Sequence, residues 1–293
     1  AYTSTLLYLN FHVSPWIGMF AGAVIAAGLS VLVGYPTFKL RGPYFVMATV
    51  AVGEAIRIIF QNTQKMFGME IRGARGLLIP LAAAKDRLWA FQFTGKVGYY
   101  YTILVFLVVM LLVARWIERS KLGYQLAAVR EDEDGAEALG VSTTRAKLTA
   151  AALSGFFAAI GGTFYAQFLS FIDPMGIMGA QLSNELALIA IIGGEGTVWG
   201  PVLGAFILVP VSEITRTYLG STFQGVHLIA YGAILMLVIM YMPQGVIKPL
   251  STLLKKVAGP SGTALGAASG AASGAAAKIG VEAEDGPGRK SQA

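Results

Sequence analysis

The chain has 293 residues, of which 55% are apolar and only 13% charged, and it contains no Cys. Soluble domains carry roughly 25% charged residues, and with a mean hydropathy of +0.64 this chain could not cover a globule with polar surface. Several apolar runs approach or exceed the ~18 residues of a bilayer-spanning helix. A soluble enzyme or nucleic-acid binder is excluded, and an all-α polytopic membrane protein is expected.

The net charge of +6 fits basic residues flanking spans and facing anionic lipid; nucleic acid is not an expected partner. Without Cys there are no disulfides, thiolate chemistry or Cys-based metal sites. His12 and His227 are the two histidines, too far apart in sequence to suggest a metal site. The chain opens at Ala1 inside an apolar stretch, so an upstream part with one or more further spans is expected.

The first clear span runs from about Pro15 to Phe38, opened by a proline at a tolerated helix start and closed by Lys39 and Arg41. A second follows Gly42-Pro43, from Tyr44 to about Phe60, so the two form an antiparallel hairpin. Residues 61–96 are a mixed loop with six Lys/Arg and two acids. A third span covers about Val97 to Ile117. The stretch Glu118–Lys147 then holds 11 of the 38 charges, and must be aqueous. The fourth span, about Leu148 to Ile172, is rich in small residues and ends at Asp173-Pro174. A helix over about Leu186–Ile192 stops at the turn Gly193–Pro201, and a further helix runs to about Ile214. The last span is about Val226 to Tyr241, giving a bundle of about 6–7 transmembrane helices. Residues 1–257 form the membrane domain, and 258–293 a disordered Gly/Ala/Ser-rich tail.

The positive-inside rule puts Lys39, Arg41, the Glu118–Lys147 loop and Lys248, Lys255 and Lys256 in the cytoplasm. The six basic residues of loop 61–96 then lie outside, against the rule, but the flipped orientation would expose three other basic clusters.

Glu54 and Arg57 are three apart inside the second span and share a helix face. Charges at that depth face protein or water. They form either a polar element of a translocation path or gate, or an intrahelical ion pair that hides its own charge. Small residues recur at packing spacing: Gly18 and Gly22, Ala158 and Gly162, and Gly196, Gly200 and Gly204. Such ridges let helices approach closely. The Gly193–Pro201 turn matches neither GxGxxG nor GxxxxGK[ST], so it reads as a tight turn or re-entrant break.

The aqueous loop carries the strongest pattern. Leu122, Leu126, Val129, Ala136 and Leu139 fall on one stripe at helical spacing, interrupted by Glu133. Gly140 suits a helix C-terminus and Ser142 the N-cap of the next helix. A short amphipathic helix between spans is expected, either a solvated connector or a knob for a soluble partner.

Ala136-Glu137-Ala138-Leu139-Gly140 resembles the EAA-type loop of ABC importer permeases. Gly123-Tyr124, Arg130-Glu131-Asp132-Glu133, Ala138-Leu139-Gly140 and Lys147-Leu148 together resemble the LivM-like permease subunit of branched-chain amino acid importers. So do Leu40-Arg41-Gly42-Pro43-Tyr44-Phe45 with Gly53-Glu54-Ala55-Ile56-Arg57, and Gly193-Gly194 with Trp199-Gly200-Pro201-Val202-Leu203-Gly204-Ala205. The matches cover roughly residues 1–245 in the family's order. At Met69–Gly76 the chain departs from the Thr-Gly-Gly/Asn-Gly stretch usual there.

The resemblance implies a permease of the inner (cell) membrane, not an enzyme, with no cofactor of its own because ATP is bound by a partner subunit. A loop over 123–140 would couple to the ATPase through Gly123, Arg130, Glu131, Glu133, Ala136, Glu137, Ala138 and Gly140. The implied partners are a homologous permease subunit, two cytoplasmic ABC ATPase subunits, a periplasmic or extracellular binding protein, and membrane lipid. Related permeases serve urea or short amides. A self-contained secondary transporter would need intramembrane ionisable groups, and only Glu54 and Arg57 qualify clearly. An intramembrane enzyme would need a catalytic constellation that the chain lacks.

Overall fold

The structure is a computed structural model describing residues 1–40, 42–66, 69–80, 89–93, 95–194 and 196–219, together with positions 232, 236 and 240. It divides into two compact units, Ala1–Leu188 and Ile189–Ala293. Apart from those three positions, the span expected at Val226–Tyr241 lies outside the described residues, as do the tail, Arg41 and Glu195.

The first unit opens with α1 (Tyr2–Phe11), which the apolar start of the sequence signalled only as a stretch. Next comes α2 (Pro15–Thr37). Ser14 caps it, accepting from Trp16 N at 3.4 Å, and its hydroxyl also donates to Trp89 O at 2.6 Å. Pro15 takes the first helical position, where a missing N–H costs nothing. The chain reverses through Gly42, whose φ of +62 suits a residue without Cβ. Pro43 then starts α3 (Pro43–Asn62).

Beyond α3 come short pieces: β1 (Lys65–Met66) pairs antiparallel with β2 (Met69–Glu70), and a 3₁₀ turn covers Gly73–Arg75. The helix α4 (Lys96–Glu118) follows. Its exposed Tyr100 and Tyr101 stand near one end and Trp116, 73% exposed, near the other. At 1.5 Å per residue these rings stand about 22–24 Å apart along the helix, several ångström short of a hydrocarbon core of about 30 Å.

The aqueous stretch folds differently from the single amphipathic helix expected. It forms α5 (Lys121–Glu131) and α6 (Glu133–Ala138), and α7 (Thr143–Leu169) begins inside it. The break is at Asp132, which is extended at φ −154 and turns its carboxylate onto Asp134 N at 3.1 Å. An Asp that hydrogen-bonds its own backbone two residues on favours a cap over a helix interior. The apolar stripe is therefore cut in phase: Ala136 is buried, while Leu139 is 86% exposed.

The fourth span ends three residues earlier than expected. Ser170 turns left-handed at φ +57, and Phe171–Ile172 form the strand β4. This pairs antiparallel with β3 (Leu77–Leu78), Leu77 opposite Ile172 and Leu78 opposite Phe171. The helix expected at Leu186–Ile192 is longer, with α8 (Pro174–Met178) leading into α9 (Ala180–Gly194).

The pair α2 and α7 makes the most extensive helix contact, and α1 packs against both. Two cores hold this unit. One joins Tyr2, Leu6, Ile71, Leu77, Ile79, Ala166 and Ile172 under the β3–β4 pair. The other is aromatic: Phe91 sits 4.2 Å from Trp16 between ring centroids and touches Phe93, Phe106 and Phe164. By contrast, the spanning windows of α3 and α4 bury no residue at all. Their apolar faces suit lipid or another membrane helix.

In the second unit α10 (Gly200–Leu219) returns along the end of α9. A Cβ at Gly193 would overlap Gly200 O, and one at Gly204 would overlap Ile189 O, so this hairpin exists only because both positions lack one. Five helical segments among the described residues are long and apolar enough to cross a membrane. The fold is an all-α polytopic membrane architecture.

Candidate functional site: the α5–α6 elbow and the charged pair in α3

The elbow is fixed at both ends by backbone chemistry. At its start, Ser120 caps α5, accepting from Gly123 N at 3.5 Å and donating to Ile117 O at 2.7 Å. Gly123 sits in the corner, where a Cβ would overlap the carbonyl oxygens of Ile117 and Glu118. At its end, Gly140 N donates to Glu137 O at 2.9 Å and Val141 N to Ala136 O at 3.0 Å. That double bond pattern is the Schellman termination, which asks for a left-handed residue, and Gly140 supplies it at φ +84.

Between these ends the candidate residues separate into two groups. Ala136 is buried beneath the elbow, whereas Arg130, Glu131, Glu137 and Ala138 are exposed. Arg130 pairs with its neighbour Glu131 at 2.9 Å. Glu133 pairs with Lys147 at 2.5 Å, tying α6 to the first turns of α7. Ser142 stands at the N-cap of α7, without a capping bond from its side chain.

The turn between α2 and α3 completes this end of the unit; the hairpin at Gly42-Pro43 was expected, its place beside the elbow was not. Phe38, Leu40, Gly42 and Phe45 line a cleft of about 630 Å³ together with Glu131, Asp132, Glu133, Asp134 and Lys147. Phe38 and Phe45 stack at 5.6 Å. The α2–α3 turn and the elbow therefore lie at the same end of the unit. The opposite end carries the β3–β4 pair, so the loop after α3 and the end of α7 meet there.

In α3, Arg57 donates to both carboxylate oxygens of Glu54, through Nε at 2.9 Å and through Nη2, and to Gln61 Oε1 at 2.7 Å. The Arg57 side chain is 15% exposed and that of Glu54 43%. Glu54 lies about 16 Å along the helix from Pro43, near the middle of a bilayer core of about 30 Å.

The small-residue candidates divide likewise. Gly18 and Gly22 face α1: a Cβ at Gly18 would come within 3.0 Å of Ser4 Cα, and one at Gly22 within 3.6 Å of Thr3. Gly162 faces the start of α1, its Cβ position 3.5 Å from Ala1 N, while Ala158 is exposed. Gly200 and Gly204 face α9, but Gly196 is an exposed turn residue at φ +74, so the three do not form one ridge. At Gly155, α7 lies close against Ala26 O and Ser30 of α2.

Residues 1–242 match the family described as the branched-chain amino acid transport system / permease component. The chain belongs to that family. It is 29% identical over 283 residues to the high-affinity branched-chain amino acid transport system permease protein LivM of Salmonella typhimurium, covering 88% of this chain and 63% of that relative. It is 25% identical over 267 residues to the probable branched-chain amino acid transport permease protein LivM of Methanocaldococcus jannaschii, covering 84% and 74%. A second kind of relative is LivH of Escherichia coli, 28% identical over 138 residues, covering 47% of this chain and 43% of that one. The chain spans about three fifths of the LivM relatives of Salmonella and Escherichia coli, at 63% and 60% of their lengths. No solved structure matches the chain. Family membership and the apolar helices together make this permease-family chain a multi-pass protein of the inner membrane.

Proposed function

We propose that this chain is the membrane-spanning permease subunit of an ATP-driven importer for branched-chain amino acids, and that the α5–α6 elbow receives the motion of a cytoplasmic ATPase subunit. The observation that carries this reading is the elbow's construction. Two short helices are locked at both ends and ion-paired through Glu133 to Lys147 at the base of α7. A partner pushing on the exposed Arg130, Glu131, Glu137 and Ala138 would thus move a membrane helix as a stiff lever rather than flex a loop. The cleft shared with the α2–α3 turn supports a second transmission point, into α2 and α3.

The cytoplasmic side in this reading is the end bearing Lys39 and the elbow, as the basic residues there favour. A homologous permease subunit would cover the uncovered faces of α3 and α4. Glu54 and Arg57 would then lie along the shared path, and a binding protein would deliver substrate at the opposite end.

Co-purification from membranes tests the reading. The ATPase should be lost on Gly140→Arg or Glu137→Arg while the paired permease subunit is retained. Uptake of labelled leucine against labelled urea in a deletion strain tests the substrate class. Transport by the purified chain alone, without ATP, would overturn the proposal.

A further inference from the structure

Four polar side chains are buried where α1 meets α7. Thr5 is 0% exposed, Thr163 and Gln167 are each 1%, and Tyr2 is 5%. The Tyr2 hydroxyl, the Thr5 and Thr163 hydroxyls and both polar atoms of Gln167 have no hydrogen-bond partner among the side chains and backbone around them. Tyr2 and Thr5 are three apart and share a face of α1. Thr163 and Gln167 are four apart and share a face of α7. Gly162 and Ala166, the residues just before Thr163 and Gln167, mark where α7 approaches the start of the chain. Gly162 stands 3.5 Å from Ala1 N at its Cβ position, and Tyr2 and Ala166 belong to one packed cluster.

The two threonines forgo a bond that several other helical threonines make. Thr37, Thr49, Thr102, Thr149 and Thr215 each return the hydroxyl to the carbonyl four residues back, at 2.7–3.1 Å. Thr5 and Thr163 also follow a carbonyl four residues back, at Ala1 and Ala159, yet their hydroxyls make no bond. Gln167 doubles the signal, since a buried carboxamide leaves both a donor and an acceptor to satisfy.

We propose that Tyr2, Thr5, Thr163 and Gln167 enclose a buried water site that bridges α1 to α7. The four side chains are uncharged, and three of the four groups can both donate and accept through one oxygen. Water matches that chemistry: it is small, neutral and able to do both with two to four partners. A charged occupant would lose its hydration with no opposite charge among the four. Bridging water also leaves the two helices able to shift slightly without breaking a direct bond, because a water can re-pair.

Hydroxyl-radical footprinting of the assembled complex in nanodiscs, with H₂¹⁸O exchange, tests the proposal. Radicals made from a bound water label the side chains around it even where bulk solvent does not reach. Tyr2 should be labelled in the wild type, and after a jump into H₂¹⁸O the heavy oxygen should enter its label more slowly than that of the exposed Tyr100, because the bound water exchanges slowly. In the near-isosteric variants Thr163→Val and Gln167→Leu, labelling at Tyr2 should fall at least about fivefold. Each variant should also lower the Tm by roughly 2–6 °C, because the water loses a partner. An unlabelled Tyr2 in the wild type overturns the proposal whatever the variants do. So does a Tm that rises in both variants, since replacing a polar group that bonds to nothing by an apolar one of similar shape stabilises.

Discussion

Lys147 Nζ lies 2.5 Å from Glu133 Oε1, joining the second helix of the elbow to the base of α7, the longest of the described helices. The two side chains are 26% and 36% exposed, so water and salt screen the pair, and it is worth only about 0–1 kcal/mol in stability. A mechanical role makes a different demand, because a lever has to keep its angle under load. Glu133→Gln and Lys147→Met should therefore shift the Tm by less than about 3 °C and leave the ATPase bound, yet lower uptake several-fold. The charge-swapped double variant should recover uptake. If both single variants transport normally, the elbow does not act through this tie.

Gly140 tests the elbow's termination separately. Its φ of +84 is unfavourable for a residue with Cβ, yet nothing lies within 4 Å of where that Cβ would be. Alanine there should therefore cost about 1–2 kcal/mol from backbone conformation alone, with no steric part. Asn, which tolerates the left-handed region, should cost less and a β-branched Val more. Thermal unfolding in detergent should order the series Gly, Asn, Ala, Val. An Ala variant as stable as the parent would mean that the Schellman end is not held in the assembled protein.

What the sequence revealed follows from the range of the forces involved. The apolar runs of α2, α3 and α4, the Pro-opened start of α2 and the glycine at position 140 are local signals, and each lies within a few residues of where it was expected. The misjudged features depend on distant neighbours or on competition. Asp132 sits inside a helical pattern, and only its carboxylate bonding back to Asp134 N shows that the pattern is cut in two. The end of α7 at Leu169 is set by β4 pairing with β3, about ninety residues earlier, which no window along the chain contains. Among the candidate residues, the Glu54–Arg57 pair was legible because charge in an apolar helix is conspicuous. Phe38, Phe45, Gly155 and Gln167 were not, because their importance lies in what they face.

The Glu54–Arg57 pair separates two roles by the behaviour of single and double variants. If charge-hiding were its whole role, removing one partner would strand a charge in the membrane and reduce insertion, while Glu54→Leu with Arg57→Leu would restore both assembly and uptake. If the pair lines the path, the double variant assembles at normal yield but takes up substrate at least about tenfold more slowly. We expect the second result, with the yield of the complex and leucine uptake measured on the same membranes. Glu54→Gln with unchanged uptake and assembly would remove the pair from the path.

The contact of α2 with α7 rests on Gly155, whose Cβ position is 3.0 Å from Ala26 O and closer still to the Ser30 hydroxyl oxygen. The hydroxyl can move only by giving up its 2.9 Å bond to Ala26 O, and the carbonyl belongs to the backbone of α2 and cannot yield without bending the helix. Gly155→Ala should therefore destabilise by about 1–3 kcal/mol, the usual cost of overpacking. Ser30→Ala removes the nearer obstacle and leaves the carbonyl, so the Ser30→Ala/Gly155→Ala double variant should regain part of the loss but not all of it. Thermal unfolding of the four proteins, arranged as a double-mutant cycle, measures the coupling. Additive effects would mean that the two helices do not meet at these residues.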